Sequence, residues 1–464
     1  MTFEESKLKP ETLKRVKTGG IERRFSMAKA GLIAGLRFAA QSTGHLFLPK
    51  EQRAAKQKES LSKEAIYLVH ELGKLKGSVV KIGQMMALWG EHYLPPEVTA
   101  ALHSLEDQTA ALDWSVMYPV LLRELGKEKL NELEIDSVPI GTGSLGQVHV
   151  ATRKKDRKKI CLKIQYPGVA DAIDTDLDSV ATILRMTRLV PFNEDFHGWL
   201  EEVRTMLKRE TNYPLELETT RRFREHLSRN ERLIVPEVFP EYSSTQIVAT
   251  SFEEGVSVDD TAVLALSQER RNRIAEASIQ LCWQEVFELG EMQTDPNFGN
   301  FLVKIDHSGQ NQDRLVLIDF GAVKQFDAHT LKYGIELAKG SFYHDSASIK
   351  NAVIELSFLP ASASDKLFEA FSEVCFLAIE PFTNPQEHSV PEELLTDAKE
   401  YKWAESQLTT RIIKKAASAA LSRHFKIPPK EFMFLSRKIM GAYTLLSVLK
   451  AEICGFKVMQ RFLT

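Results

Sequence analysis

Cysteine is scarce in this sequence. Cys161, Cys282, Cys375 and Cys454 are the only four in 464 residues, and no two form a Cys-x-x-Cys pair. Their wide spacing argues against a zinc site and makes a reducing compartment the default. Long apolar runs are missing too. No stretch reaches the roughly 18 residues that a membrane-spanning helix needs. The first residues carry Glu4 and Glu5 and lack a signal-peptide core, so the expected location is cytoplasmic. Excess charge is also absent. The net charge of −3 lacks the basic signature of a nucleic-acid binder, and no nucleic-acid partner is expected. There is no internal repeat and no low-complexity tract.

What is present is ordinary for a globular chain: 43% hydrophobic and 27% charged residues, at a length that holds two or three domains. Charge is unevenly spread. Residues 1–60 carry 13 Lys and Arg against 6 Asp and Glu, a balance of +7, so the remainder carries −10. Lys14, Arg15, Lys17, Arg23, Arg24, Lys29 and Arg37 interleave with Phe25, Leu32, Ile33, Leu36 and Phe38. Two readings fit: a solvated arm with one short helix, or a basic amphipathic segment that touches an anionic membrane surface. From Leu61 to Trp89 apolar residues recur at helical spacing. Lys81 and Gln84, within Lys81-Ile82-Gly83-Gln84, share one face of that helix. Leu94-Pro95-Pro96 then turns the chain, and helical patterns resume to about Glu132.

Two stretches carry chemistry. In the first, Gly141, Gly143, Gly146 and Val148 fit G-x-G-x-x-G-x-V. Glycines let backbone amides approach phosphates. A dinucleotide-binding turn uses similar glycines but opens a helix, whereas Gln147 to Thr152 reads as a strand. A second strand, Ile160 to Lys163, ends on a lysine suited to the α- and β-phosphates of a nucleotide. Asn212-Tyr213-Pro214 then reads as the start of a helix, with Asn as N-cap and Pro in the first turn. That helix carries Glu216, the first choice for holding Lys163; Glu210 is the second choice. Phe252-Glu253-Glu254-Gly255 reads as a hinge.

The second stretch runs from 291 to 321. It contains Asp295-Pro296-Asn297-Phe298-Gly299-Asn300 and Asp319-Phe320-Gly321. Between them, strand-like runs Phe301–Ile305 and Arg314–Ile318 flank a polar turn, a hairpin pattern that brings its ends together. Asp295, Asn300 and Asp319 then converge. Carboxylate and amide oxygens are hard ligands suited to Mg²⁺ on nucleotide phosphates. This is the order of groups in a protein-kinase site. No activation segment of kinase length follows Gly321. The chain is predicted to be helical from about Asp327, with a last long helix from Pro428 to about Gly455.

With these motifs the chain resembles the UbiB/AarF family of atypical protein-kinase-like proteins. Lys81 to Gln84 matches the family's Lys-x-Gly-Gln, and Gln165-Tyr166-Pro167-Gly168-Val169 follows the lysine strand as in the family. The Gln293-Thr294-Asp295-Pro296-Asn297 loop is similar to the mitochondrial-type branch. Two departures stand out. The family's alanine-rich phosphate loop is glycine-rich here, and its Glu-x-Asp motif appears as Glu210-Thr211-Asn212.

The resemblance implies an α+β two-lobe kinase-like fold with an N-terminal helical extension and a mainly helical large lobe. The expected divisions are 1–60, arm; 61–135, extension; 136–254, small lobe; 255–464, large lobe. Expected cofactors are ATP and Mg²⁺. Gly141, Gly143, Ser144, Gly146 and Val148 would cover the phosphates, with Lys163 and Glu216 orienting them. Asn300 and Asp319 would hold the metal, and Asp295 would serve as base. Lys81, Gln84, Glu210 and Asn212 would restrain the site. The family implies ATPase or small-molecule kinase activity that supports ubiquinone biosynthesis, with prenylated quinone precursors as partners and a peripheral position on the inner face of a membrane. A catalytically silent nucleotide switch is the alternative, and a true protein kinase a third reading. The sequence leaves homodimerisation open.

Overall fold

Residues 146–153 and 159–165 are rich in Val, Ile and Thr, which suit a pleated, half-buried surface. In the computed structural model they form the centre of an antiparallel sheet. The structure describes residues 78–89, 111–187, 194–295, 297–384, 390–420 and 430–463. The basic arm, the helical pattern before Ser78 and the Leu94-Pro95-Pro96 turn lie outside the described residues. Two units form, one from residues up to 218 plus 237–252, the other from 219–236 and 253–464.

The first unit contains helices α1 (Ser78–Trp89) and α2 (Trp114–Asn131), the latter bent where Gly126 takes a φ of +74°. Strands β1 (Leu133–Ile135), β2 (Gly141–Thr142), β3 (Gly146–Arg153) and β4 (Lys159–Gln165) follow. Then come α3 (Val169–Thr187), α4 (Glu194–Glu210) and the start of α5 (Tyr213–His226), which ends in the second unit. Strand β5 (Leu233–Ile234) also belongs to the second unit, and β6 (Ile247–Ser251) returns to the first. The sheet order is β1-β3-β4-β6, with β2 paired to β3. Ile160, Leu162 and Ile164 point from β4 into a core shared with Met117, Leu121 and Leu125 of α2. Burying alternate residues on one face fixes the register, because a one-residue slip would turn every side chain over. Lys163 therefore lies opposite Val148 on β3 and Val248 on β6. α1 is pinned by two polar contacts: the Ser78 hydroxyl donates to the buried Asp176 carboxylate of α3, and Lys81 pairs with Glu210 of α4.

The second unit contains β7 (Val256–Ser257), α6 (Thr261–Leu264), α7 (Gln268–Gln284) and β8 (Glu291–Gln293). The hairpin strands β9 (Phe301–Lys304) and β10 (Arg314–Leu317) and β11 (Val323–Gln325) follow. Helices α8 (Ala328–Phe342), α9 (Ser346–Glu355) and α10 (Asp365–Ile379) come next. The chain closes with β12 (Tyr401–Lys402), α11 (Trp403–Ser406), α12 (Leu408–Ala420), α13 (Lys430–Val448), β13 (Glu452–Ile453) and α14 (Gly455–Leu463). β9 and β10 pair antiparallel, flanked by β7 and by a parallel β5, while β8 pairs with β11. Asp327 caps α8, its carboxylate accepting from the Thr330 amide at 2.9 Å. The long C-terminal helix expected to reach Gly455 stops at Val448. Lys450 adopts a left-handed φ of +48°, and the chain then pairs as β13 with β12. Leu445, Leu446, Leu449, Ala451 and Ile453 are all buried. An apolar pattern that runs through a break therefore reads as one helix.

Candidate active-site groups

The glycine stretch lies in the first unit, where β2 and β3 pair from Gly141 and Thr142 to Val148 and Gln147. The Gly143 amide donates to the Gly146 carbonyl at 2.8 Å, closing the turn. None of the three glycines has a positive φ, so backbone conformation does not require them. Packing requires only Gly146, where a Cβ would lie 2.5 Å from the Ile164 carbonyl oxygen and 2.8 Å from the Tyr213 hydroxyl. A Cβ on Gly141 would meet nothing within 4 Å, and one on Gly143 only the Gly146 carbonyl at 3.5 Å. The bare backbone at 141 and 143 thus suits the close approach of a ligand rather than of the protein.

Lys163 Nζ is 2.6 Å from Glu216 Oε1 and 5.5 Å from the centre of the Tyr213 ring. The Glu216 side chain is 4% exposed and that of Lys163 27%. Asn212 fixes the start of α5, its side chain accepting from the Leu215 amide at 3.1 Å, which satisfies an otherwise orphaned N–H of the first turn. Gln165 Nε2 donates to the Thr211 carbonyl at 2.9 Å, joining the end of β4 to this turn. Glu210, the second choice for Lys163, is instead 2.9 Å from Lys81. Lys81 and Glu210 are 16% and 12% exposed. Gln84, half-buried, lies one turn further along α1. Ser144 is half-buried in the glycine turn, and Val148 extends from it along β3.

The second set of groups sits in the second unit. Two ladders approach one another there. In one, Phe301 pairs with Leu317, and the Ile318 amide donates to the Asn300 carbonyl at 3.1 Å, which puts Asn300 beside Asp319. In the other, Val323 pairs with Gln293, and the Thr294 amide donates to the Ala322 carbonyl at 2.9 Å, which puts Asp295 beside the Asp319-Phe320-Gly321 turn. Asn300 Nδ2 donates to the Asp295 carbonyl at 3.2 Å, so its amide oxygen is turned away from that contact. Asp319 Oδ1 accepts from the Gly321 amide at 2.9 Å. Phe320 is buried against Phe223 of α5, ring centres 5.0 Å apart. No cluster of three or more His, Cys, Asp or Glu side chains suited to a metal occurs among the described residues. One carboxylate and one amide oxygen fit Mg²⁺, which keeps waters and binds largely through phosphates, better than a metal held in an all-protein cage.

Several partners of these groups are not legible from the motifs. Arg437 of α13 donates to Asp295 Oδ1 at 3.0 Å, and the neighbouring Lys438 is 2.6 Å from Glu285. Burial pushes the Glu285 carboxyl above its ordinary pKa, against the pull of Lys438. Arg222 holds Glu291 through two hydrogen bonds of 2.7 and 2.6 Å. Arg270 grips Asp313 at the turn end of the hairpin in the same forked way. Gln293 accepts from the Asp295 amide at 2.6 Å and donates to the Asp319 carbonyl at 3.3 Å, tying the two acidic positions together. Only Gln293 carried a signal, as part of the Gln293-Thr294-Asp295-Pro296-Asn297 loop.

A family model described as the ABC1 atypical kinase-like domain matches residues 104–353. The chain belongs to this family. ABC1 relatives align along most of its length. "Atypical kinase COQ8B, mitochondrial" of Danio rerio is 30% identical over 83% of this chain and 58% of its own length. "Atypical kinase COQ8, mitochondrial" of Saccharomyces cerevisiae is 28% identical over 96% of this chain and 85% of its own. "Probable serine/threonine-protein kinase abkA" of Dictyostelium discoideum is 28% identical over 85% and 70%. The chain spans 49% and 60% of the length of two further COQ8 relatives. A solved structure, "The complex structure of Rv3197-erythromycin from Mycobacterium tuberculosis", shares the fold with a TM-score of 0.56 at 21% identity, covering 89% of this chain and 98% of its own. The ABC1 fold of this chain is α+β and kinase-like. No described helix is long and apolar enough to cross a membrane.

Proposed function

We propose that this ABC1 protein binds Mg-ATP and acts as an ATPase or a small-molecule or lipid kinase that supports ubiquinone biosynthesis at a membrane. The observation that carries the reading is the Lys163–Glu216 pair at 2.6 Å. A lysine on the strand after a glycine turn, held by a largely buried helical glutamate, orients phosphates as a fixed point charge. Asn300 and Asp319 would hold Mg²⁺, which supplies charge neutralisation at the transferring phosphate. The backbone of Gly141, Gly143, Ser144 and Gly146 would line the phosphates, beside Val148. Asp295 would orient an attacking hydroxyl or water and accept its proton. Lys81, Gln84, Glu210 and Asn212 would restrain the site.

A second reading rests on Arg437. Its guanidinium engages the Asp295 carboxylate at 3.0 Å, which favours a nucleotide-binding switch that is catalytically silent while the pair holds. One set of measurements separates the two. Nucleotide-dependent thermal shifts report binding, because a ligand that binds only the folded state raises the melting point. Phosphate release, with and without liposomes and phenolic quinone precursors, reports turnover. The proposal expects a Mg-ATP shift that Asp319→Asn diminishes, together with phosphate release. Equal shifts in wild type and Asp319→Asn overturn the metal assignment, and a shift without any phosphate release selects the switch.

A further inference from the structure

Within the second unit, α7, α8, α10, α12 and α13 surround a cavity of about 200 Å³. The cavity is partly open, and Cys375 on its wall is half-buried. The cavity is not a water site. Trp283, Phe371, Ile412 and Met440 are representative of its wall, and two of its hydroxyls are already engaged. The Ser341 hydroxyl donates to the Leu337 carbonyl at 2.6 Å, and the Tyr443 hydroxyl to the Ala378 carbonyl at 2.7 Å. Burial pushes the Cys375 thiol up to about 12, with a hydrogen bond to Ser341 working against it. A water needs two or more polar partners, and among the described wall residues only the buried Trp283 indole N–H lacks one. A dry cavity of about 150 Å³ with such a lining takes up benzene, and this one has room for a ring with a short alkyl substituent.

The cavity also shares a helix with the candidate catalytic groups. On α13, Ser436, Ile439, Met440 and Tyr443 line the cavity. Arg437 and Lys438, between them in sequence, point elsewhere: Arg437 to Asp295 at 3.0 Å and Lys438 to Glu285 at 2.6 Å. Glu285 in turn follows the last turn of α7, two residues after Trp283 of the cavity wall. The Arg437–Asp295 and Lys438–Glu285 pairs therefore both start from cavity-lining α13, and Glu285 adjoins the end of cavity-lining α7.

We propose that this cavity is a binding site for a small uncharged hydrocarbon, the size of one alkyl-substituted benzene ring, and that its occupancy is transmitted through α13 to the Arg437–Asp295 pair. The transmission half rests on reading Asp295 as the catalytic base; the binding half does not. n-Butylbenzene is the probe, added to the full chain without nucleotide. At concentrations well above its Kd it should raise the melting temperature and slow modification of Cys375 by a small thiol reagent, read at that residue by mass spectrometry. Ala378→Leu and Ala416→Leu, which fill the cavity from two walls, should each weaken n-butylbenzene binding at least tenfold and leave the secondary structure unchanged. If one variant fails to fold, the other and the Cys375 protection still decide. An undiminished melting shift in the filled variants means nonspecific partitioning and overturns the site, as does unprotected Cys375. Hydrogen exchange over residues 291–300 should change on n-butylbenzene binding. Binding with unaltered exchange there overturns the transmission. A protein that binds n-butylbenzene but not Mg-ATP would keep the cavity and refute the nucleotide reading instead.

Discussion

The hairpin that presents Asn300 and Asp319 at its open end is closed at its turn end by one buried carboxylate, and removing it should loosen the pairing of β9 with β10. The Asp313 side chain is 1% exposed and accepts three hydrogen bonds, from Arg270 Nε at 2.7 Å, Arg270 Nη2 at 2.5 Å and the Asp306 amide at 2.9 Å. Arg270 also donates to the Asp306 carbonyl at 2.8 Å. Hydrogen bonds to charged groups contribute about 1.5–3 kcal/mol each, and breaking a buried pair costs about 3–5 kcal/mol. Arg270 is 18% exposed, so it regains some water when Asp313 is lost. We therefore expect Asp313→Ala to cost about 3 kcal/mol, toward the lower end of that range. Each 1.4 kcal/mol is tenfold, so local opening of the hairpin should increase by roughly 100-fold. Hydrogen exchange over residues 301–318 reads this directly. Arg270→Leu should have a similar effect, and the double variant should cost much less than the sum. The effect should depend on pH. Burial raises the Asp313 carboxyl, but the Arg270 and Asp306 hydrogen bonds outweigh it and hold the pKa below its usual value. Its contribution is then full above the unfolded-state value near pH 4 and fades as pH falls through the lower folded value. The gap between wild type and Asp313→Ala should narrow below about pH 4. An increase in opening of less than about fivefold at pH 7, or a gap that stays constant down to pH 2, would refute this reasoning.

Other substitutions test separate parts of the site. Gly146→Ala drives a Cβ into the Ile164 carbonyl and should cost about 1–3 kcal/mol of stability by thermal melting. Gly143→Ala meets only an ordinary contact at 3.5 Å, so it should fold normally and lose nucleotide affinity alone. Glu216→Gln keeps the shape but removes the charge 2.6 Å from Lys163; it should weaken ATP-dependent thermal shifts more than Glu210→Gln does. Lys81→Ala removes the pair with Glu210 and should increase self-labelling from labelled ATP over wild type, which itself should label peptides poorly. Deleting residues 1–40 should abolish flotation with cardiolipin-containing liposomes at low salt. Each basic residue near an anionic surface contributes about 1 kcal/mol and is screened by salt.

The sequence alone determined the elements that short-range chemistry dictates. Alternating apolar residues produced β3 and β4, short apolar runs either side of a polar turn produced β9 and β10, and Asn212-Tyr213-Pro214 marked the start of α5. Gly141 to Gly146, Lys163, Asp295, Asn300 and Asp319 stood out because phosphate and Mg²⁺ chemistry demands those residue types at those intervals. Tertiary structure decided which charges meet. The sequence ranks Glu216 ahead of Glu210 as the partner of Lys163 without deciding between them. Six residues apart, they fall on either side of the break at Thr211 and Asn212, one ending α4 and the other in the first turn of α5. That change of direction gives Glu210 to Lys81 and Glu216 to Lys163. Arg437 reaches Asp295 across 142 residues, and no local pattern records such a contact. The end of α13 was hidden for a related reason: Leu445 to Ile453 keep their apolar faces inward through the turn at Lys450. Burial preserves the hydrophobic period there while the backbone departs from the helix.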